Sequence, residues 1–189
     1  MLLPGQEPGG RDPAPGRLRL VQSFVNTINL EAPEDWIETP HQLAAFFRER
    51  HLIGDDEVVR DEDLRRAVEL REAIRLLLLE NNGEPHDEAA AAVVAHAARA
   101  AQLTVSVSPR GAAELVPDAG GVDGALGAVV AVCAESMLDG SWQRLKACRR
   151  DVCHWAFYDH SRNRSGAWCS MSICGNRTKT RVYRRRRHG

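Results

Sequence analysis

Two stretches near the C-terminal end, Cys148-Arg149-Arg150-Asp151-Val152-Cys153 and Cys169-Ser170-Met171-Ser172-Ile173-Cys174, decide how the last quarter of the chain can fold. Each places four residues between its cysteines, and fifteen residues separate the two pairs. Equal pairs divided by a mid-length loop suit a four-thiolate zinc site, where each pair bends around one side of the ion. A segment this short and rich in arginine cannot build a self-sufficient apolar core. Metal binding would then supply much of its folding free energy, of order 10 kcal/mol in zinc-finger peptides. Three other readings compete. Disulfides need an oxidising compartment, a redox pair usually shows Cys-x-x-Cys, and His154 or His160 could replace one thiol. Four equivalent cysteines favour one zinc ion per chain. Four thiolates around it would carry a formal −2, and Arg149, Arg150, Arg162 and Arg164 lie close enough in sequence to offset it.

The charge pattern marks the same region. The 189 residues hold 25 Lys and Arg against 26 Asp and Glu, a net of −1. From Arg144 to Gly189 there are 13 basic residues and two acids, Asp151 and Asp159, a net of +11 that leaves −12 for residues 1–143. Such asymmetry points to a polyanionic partner for the basic part. A charged share of 27% and an apolar share of 43% exclude an acidic disordered chain and a fibrous one. Apolar runs such as Ile74 with Leu76 to Leu79 are too short to span a bilayer. Residues 1–16 are rich in Gly and Pro without a signal-peptide pattern, so a disordered leader and a cytoplasmic location are expected.

The remainder reads as mostly helical, with one small β-hairpin. Leu18, Val21, Val25 and Ile28 share a helical face over 17–29, and Asn26 and Thr27 read as a polar helix end bonding back to the main chain. Thr39-Pro40-His41-Gln42 is a helix start with a capping box; that helix should bury Leu43, Phe46 and Phe47 and end near His51. Asp61 is expected to cap a long helix stopping at Asn82-Gly83. The alanine-rich stretch from Asp87 to Ala101 predicts another helix, with His96 a packed or surface side chain. Period two then takes over at Leu103, Val105 and Val107, with a turn at Pro109-Arg110-Gly111 and a return strand at Glu114 to Val116. Asp123 should cap a last helix burying Leu126, Val129, Val130, Cys133 and Met137. Cys133 is then a core thiol and not a nucleophile.

Trp155, Phe157 and Trp168 lie between the cysteines. They could stack on bases, but a small core under the metal is the stronger reading, most of all for Phe157 and Trp168. Asp159 and Ser161 could hold the intervening loop through side-chain to backbone bonds. Beyond Cys174, on a helix capped by Asn176, Arg177, Arg181, Arg184 and Arg185 would form a basic stripe able to track phosphates. With Lys179, Arg162 and Arg164 these are the candidate nucleic-acid contacts.

The ordered run Cys148, Cys153-His154-Trp155-Ala156-Phe157-Tyr158-Asp159, Ser161-Arg162-Asn163, Trp168-Cys169-Ser170-Met171 and Cys174-Gly175-Asn176-Arg177 resembles the CGNR zinc finger over about 144–187. The preceding 17–140 segment, with Val25-Asn26-Thr27, its helical pattern and its hairpin, resembles the ABATE domain of transcription regulators. The resemblance implies a bacterial cytoplasmic protein, zinc held by Cys148, Cys153, Cys169 and Cys174, and a DNA-binding role. Many relatives carry a basic pair just before the Trp-Cys, where this chain has Gly166-Ala167.

The favoured function is a zinc-dependent regulator that binds double-stranded DNA, with the N-terminal region sensing a small-molecule effector or forming a homodimer. An RNA- or ribosome-associated zinc protein is the alternative. No motif for an enzyme stands in the N-terminal region, and no membrane partner is expected. An effector pocket between the first helix, around Asn26 and Thr27, and the long helix from Asp61 is a further expectation. So is independence of the two parts: Cys169→Ser should unfold the C-terminal module and leave the N-terminal helices intact.

Overall fold

The apolar residues of the last long helix point in every direction, so the helix can only be stable inside the molecule. In the computed structural model, which describes residues 8–180 apart from 33, 110 and 179, that helix runs through the centre. In chain order the described elements are α1 (Leu18–Val25), β1 (Ile28–Asn29), β2 (Glu34–Asp35), α2 (Pro40–Arg48), α3 (Asp61–Glu80), α4 (Glu88–Ala100), β3 (Leu103–Val107), β4 (Ala113–Pro117), α5 (Gly121–Leu138), β5 (Leu145–Ala147) and β6 (Ala156–Tyr158). Helix α5 packs against α1, α4 and β4. It buries Val122, Ala125, Leu126, Val129, Val130 and Cys133. It is long and apolar enough by composition to cross a membrane, contrary to the sequence expectation, but its side chains form the middle of a core. Burial pushes the Cys133 thiol up to about 12, which fits an inert core residue. Met137 departs from the expected stripe and is 45% exposed.

Local signals explain several boundaries. The Thr39 hydroxyl accepts from the Gln42 amide N–H, and the Gln42 side chain accepts from Thr39 N–H, completing the capping box. Leu43, Phe46 and Phe47 are buried as expected, although α2 stops at Arg48, before His51. Gly83 takes φ 96° just beyond α3, a conformation glycine adopts at little cost. Asp87 caps α4 by accepting from Ala90 N–H, and His96 is exposed.

Two expected caps are corrected. Arg60 precedes α3, and its N–H is held by the Asp63 carboxylate, so Asp61 is the first helical residue. Helix α5 begins after Gly120, and Asp123 is drawn instead to Arg66 on α3.

The predicted hairpin is β3 with β4, antiparallel, pairing Val105 with Leu115. Two further antiparallel pairs, β1 with β2 and β5 with β6, are too short to show an alternating pattern. The β5–β6 pair forms a shared wall. Leu145, Ala147, Ala156 and Tyr158 belong to the main helical core, while Phe157 belongs to the cluster around the cysteines.

The disordered leader is corrected for residues 8–16. Arg11 donates to the carbonyls of Tyr158, Trp168 and Cys169, and its guanidinium lies 4.7 Å from the centre of the Phe157 ring. Ala14 is buried, and its N–H donates to Gln22. Three carbonyls and an aromatic face satisfy a cation that would otherwise stay in water, which holds the segment down.

Candidate metal centre

Two turns carry the cysteines. The first follows β5, where the Cys148 N–H donates to Trp155 and extends the β5–β6 ladder, and the Cys153 N–H closes back on Arg150. The second is a wide helical turn over Met171–Gly175, opened by the Ser170 side chain accepting from Ile173 N–H. The four sulfurs lie within 4.8 Å of one another, and all four residues are buried. Cys153 and Cys169 sulfurs are 3.7 Å apart, and those of Cys169 and Cys174 are 3.6 Å apart. A tetrahedron with zinc–sulfur bonds of about 2.3 Å has edges of about 3.8 Å. The donors therefore fit one zinc ion in type, number and spacing. His154 and His160 lie outside the cluster; the His160 ring reaches the carbonyls of Asp12 and Pro13. All five cysteines are free thiols, which removes the disulfide reading.

The sulfurs cannot all ionise together without a cation. Hydrogen bonds from Cys153 and Cys169 hold the Cys148 thiol low, and sharing with Cys148 pushes the Cys153 thiol up. Zinc would replace the shared protons, so its binding releases them. Of the nearby arginines, Arg150 reaches the centre, with its guanidinium 3.8 Å from the Cys174 sulfur. Arg149 is taken by the Asn82 carbonyl and Arg164 by Gln143.

Under the sulfurs, Trp155 and Phe157 are buried, Trp168 and Ile173 pack beside them, and Trp36 joins from the N-terminal part. Trp36 and Trp155 meet edge to face at 6.4 Å between ring centres. The aromatic residues therefore form the expected small core. The loop between the pairs is organised by Asp159. Its carboxylate accepts from Lys146 at 3.0 Å, from Ser161 N–H at 3.0 Å and from Gly166 N–H at 2.7 Å. Burial alone would raise this acid; bonds from Ser161, Lys146 and Gly166 outweigh it and hold the group down at about 2. A Cβ on residue 166 would sit 2.9 Å from the Asp159 carboxylate. The absence of a side chain at Gly166 therefore leaves room for this close approach.

A family model described as "Putative stress-induced transcription regulator", ABATE, matches residues 18–141. The chain belongs to the ABATE family. A second model, the CGNR zinc finger, matches residues 144–187. No curated protein matches the chain. Both families are of regulator or zinc-finger type and neither is an enzyme family.

The ABATE region and the CGNR module are joined by polar groups that sequence reasoning missed. The Asn26 side chain donates to the Ala156 carbonyl at 2.9 Å and accepts from its N–H at 2.7 Å, completing the free edge of β6. Asn82 donates to the carbonyls of Ala147 and Ala167, and Asn81 to those of Trp142 and Leu145. Arg75, buried, donates to the His154 and Val25 carbonyls. The effector pocket expected at Asn26 and Thr27 is thereby corrected. Asn26 is spent on Ala156, while Thr27 bonds back to Phe24 as expected and accepts from Arg71. Arg71 also pairs through two bonds of 2.8 Å with Asp35, filling that space. The signal for this joint was faint: Asn81-Asn82 at a helix end reads as an ordinary stop.

Of the candidate nucleic-acid contacts, Arg162, Arg164 and Arg177 are exposed. Residues 176–178 continue helically from the second cysteine turn. Lys179, Arg181, Arg184 and Arg185 lie outside the described residues. A separate cleft of about 450 Å³ opens where α3 meets the first cysteine turn, lined by Leu76, Leu79, Pro85, His86, Arg149 and His154.

Proposed function

We propose that this protein is a zinc-dependent transcription regulator whose CGNR module binds double-stranded DNA. The observation that carries this reading is the placement of Arg177 in the turn leaving Cys174, on a metal-fixed scaffold, within a segment of net +11. A rigid scaffold presenting arginines at fixed spacing is what reading a duplex backbone requires. Burial of Trp155 and Phe157 removes two aromatic faces from base stacking and so weighs against a single-stranded partner. We assign the effector role to the cleft lined by Leu76 and His154, because it touches both α3 and the residues flanking Cys153. Thermal-shift screening of metabolites against wild type and Leu76→Trp tests that assignment.

Gel-shift titration over a salt series tests DNA binding. Each phosphate contact adds about −0.9 to the slope of log K against log salt on B-DNA, so five to eight contacts give roughly −5 to −7. A slope near zero would sink the proposal. Half-site repeats in recovered fragments would indicate a homodimer.

A further inference from the structure

Glu31, in the turn between β1 and β2, makes two ion pairs across the joint. One carboxylate oxygen accepts from Arg150 at 2.9 Å, and the other accepts from Arg177. Arg150 is only 15% exposed at its side chain and also donates to the Cys174 sulfur, so this anion-binding corner is part of the metal centre. The backbone that carries Glu31 is anchored on both sides. Buried Asn29 accepts from the N–H groups of Glu31 and Ala32, which shapes the turn. Asp35, on the partner strand, is clamped by Arg71, and Trp36 beyond it packs on Trp155. These bonds fix the backbone from which Glu31 projects, and its carboxylate remains 38% exposed.

Two guanidinium groups around one anion with two oxygens is the arrangement that recognises phosphate. A carboxylate and a phosphodiester each bring a single negative charge shared over two free oxygens. We propose that Arg150 and Arg177 form a phosphodiester-binding seat on the metal centre, which the Glu31 carboxylate occupies in the free protein and from which nucleic acid must displace it. This inference rests on the DNA-binding reading above. It adds Arg150 to the nucleic-acid contacts and makes Glu31 an internal competitor supplied by the acidic region.

The test is equilibrium binding of a generic 20-base-pair duplex by the full zinc-loaded chain at about 0.15 M salt. Glu31→Gln removes the charge and keeps the shape. With two partly exposed pairs released, it should bind about threefold to tenfold more tightly than wild type. Glu62→Gln deletes the same charge from an exposed position on α3 and should change affinity by less than about twofold. In an Arg150→Ala, Arg177→Ala background, Glu31→Gln should bring no gain, because nothing remains for Glu31 to mask. Zinc content and circular dichroism of each variant confirm that the fold is kept. Salt-dependent binding that is equal for wild type and Glu31→Gln would overturn the clasp alone. So would a gain matched by Glu62→Gln or retained in the double-arginine background. Absence of salt-dependent binding by both wild type and Glu31→Gln would overturn the DNA-binding reading, and the clasp with it.

Discussion

The two ends of this molecule are held together by different chemistry. The ABATE region is built on α5, whose apolar residues meet side chains from α1, α3 and α4. The CGNR module has four sulfurs, a few aromatic residues and an aspartate bonded three ways. The first is stabilised by excluding water over a large area, the second by a few directional bonds and by the one ion that its four sulfurs can hold. The difference shows where each is vulnerable: many small losses are tolerated in one, while one loss undoes the other. Charge divides them near residue 143, but packing does not, since the β5–β6 pair gives Leu145 and Tyr158 to one core and Phe157 to the other.

That shared wall revises the expectation that the helices survive loss of the metal. Cys169→Ser, or chelation, should abolish zinc binding and lower the melting temperature of the whole chain by about 10 °C or more. Tryptophan fluorescence and far-ultraviolet dichroism should report one coincident transition. Helical signal persisting unchanged after the aromatic signal is lost would show two independent units.

The next effect in size tests the Asp159 hub. Asp159→Ala leaves the buried Lys146 ammonium without its counter-charge and should cost about 3–5 kcal/mol in denaturant unfolding. The carboxyl is held near 2 in the fold, below its ordinary value near 4. Its contribution is therefore present above pH 4 and is lost as pH falls toward 2. Wild type should lose more stability than Asp159→Asn over that window, and parallel pH curves would remove the hub from the account.

Smaller still is the joint. Asn26→Ala leaves the buried Ala156 N–H unpaired, with Gln22 alone still donating to its carbonyl at 3.3 Å, and should cost about 1–3 kcal/mol. Both spectroscopic probes should register the loss equally. The smallest effect belongs wholly to the ABATE region: Thr39→Ala removes the α2 cap for about 1 kcal/mol and should leave zinc affinity unchanged.

Features written in neighbouring residues were legible in the sequence. The Thr39–Gln42 box, the glycine after α3, the period-two hairpin and the two cysteine pairs all depend on spacings of no more than about sixteen residues. The caps at Asp61 and Asp123 were misplaced because Asp63 and Arg66 offered stronger partners, the latter from another helix. Asn26 and Arg11 could not be read, since their partners are main-chain carbonyls 130 or more residues away. Every residue carries such a carbonyl, so the sequence holds no mark of which one is used. The Glu31 corner was hidden for a similar reason, with its arginines 119 and 146 positions distant.

The joint also bears on how such proteins can change over time. Asn26, Asn81, Asn82 and Arg75 grip backbone atoms, and three of the gripped residues are the small alanines 147, 156 and 167. A contact that reads only the main chain places no demand on side-chain identity beyond small size. The face of the module that meets the outside can therefore diversify from one descendant to the next while the coupling to the helices is inherited unaltered.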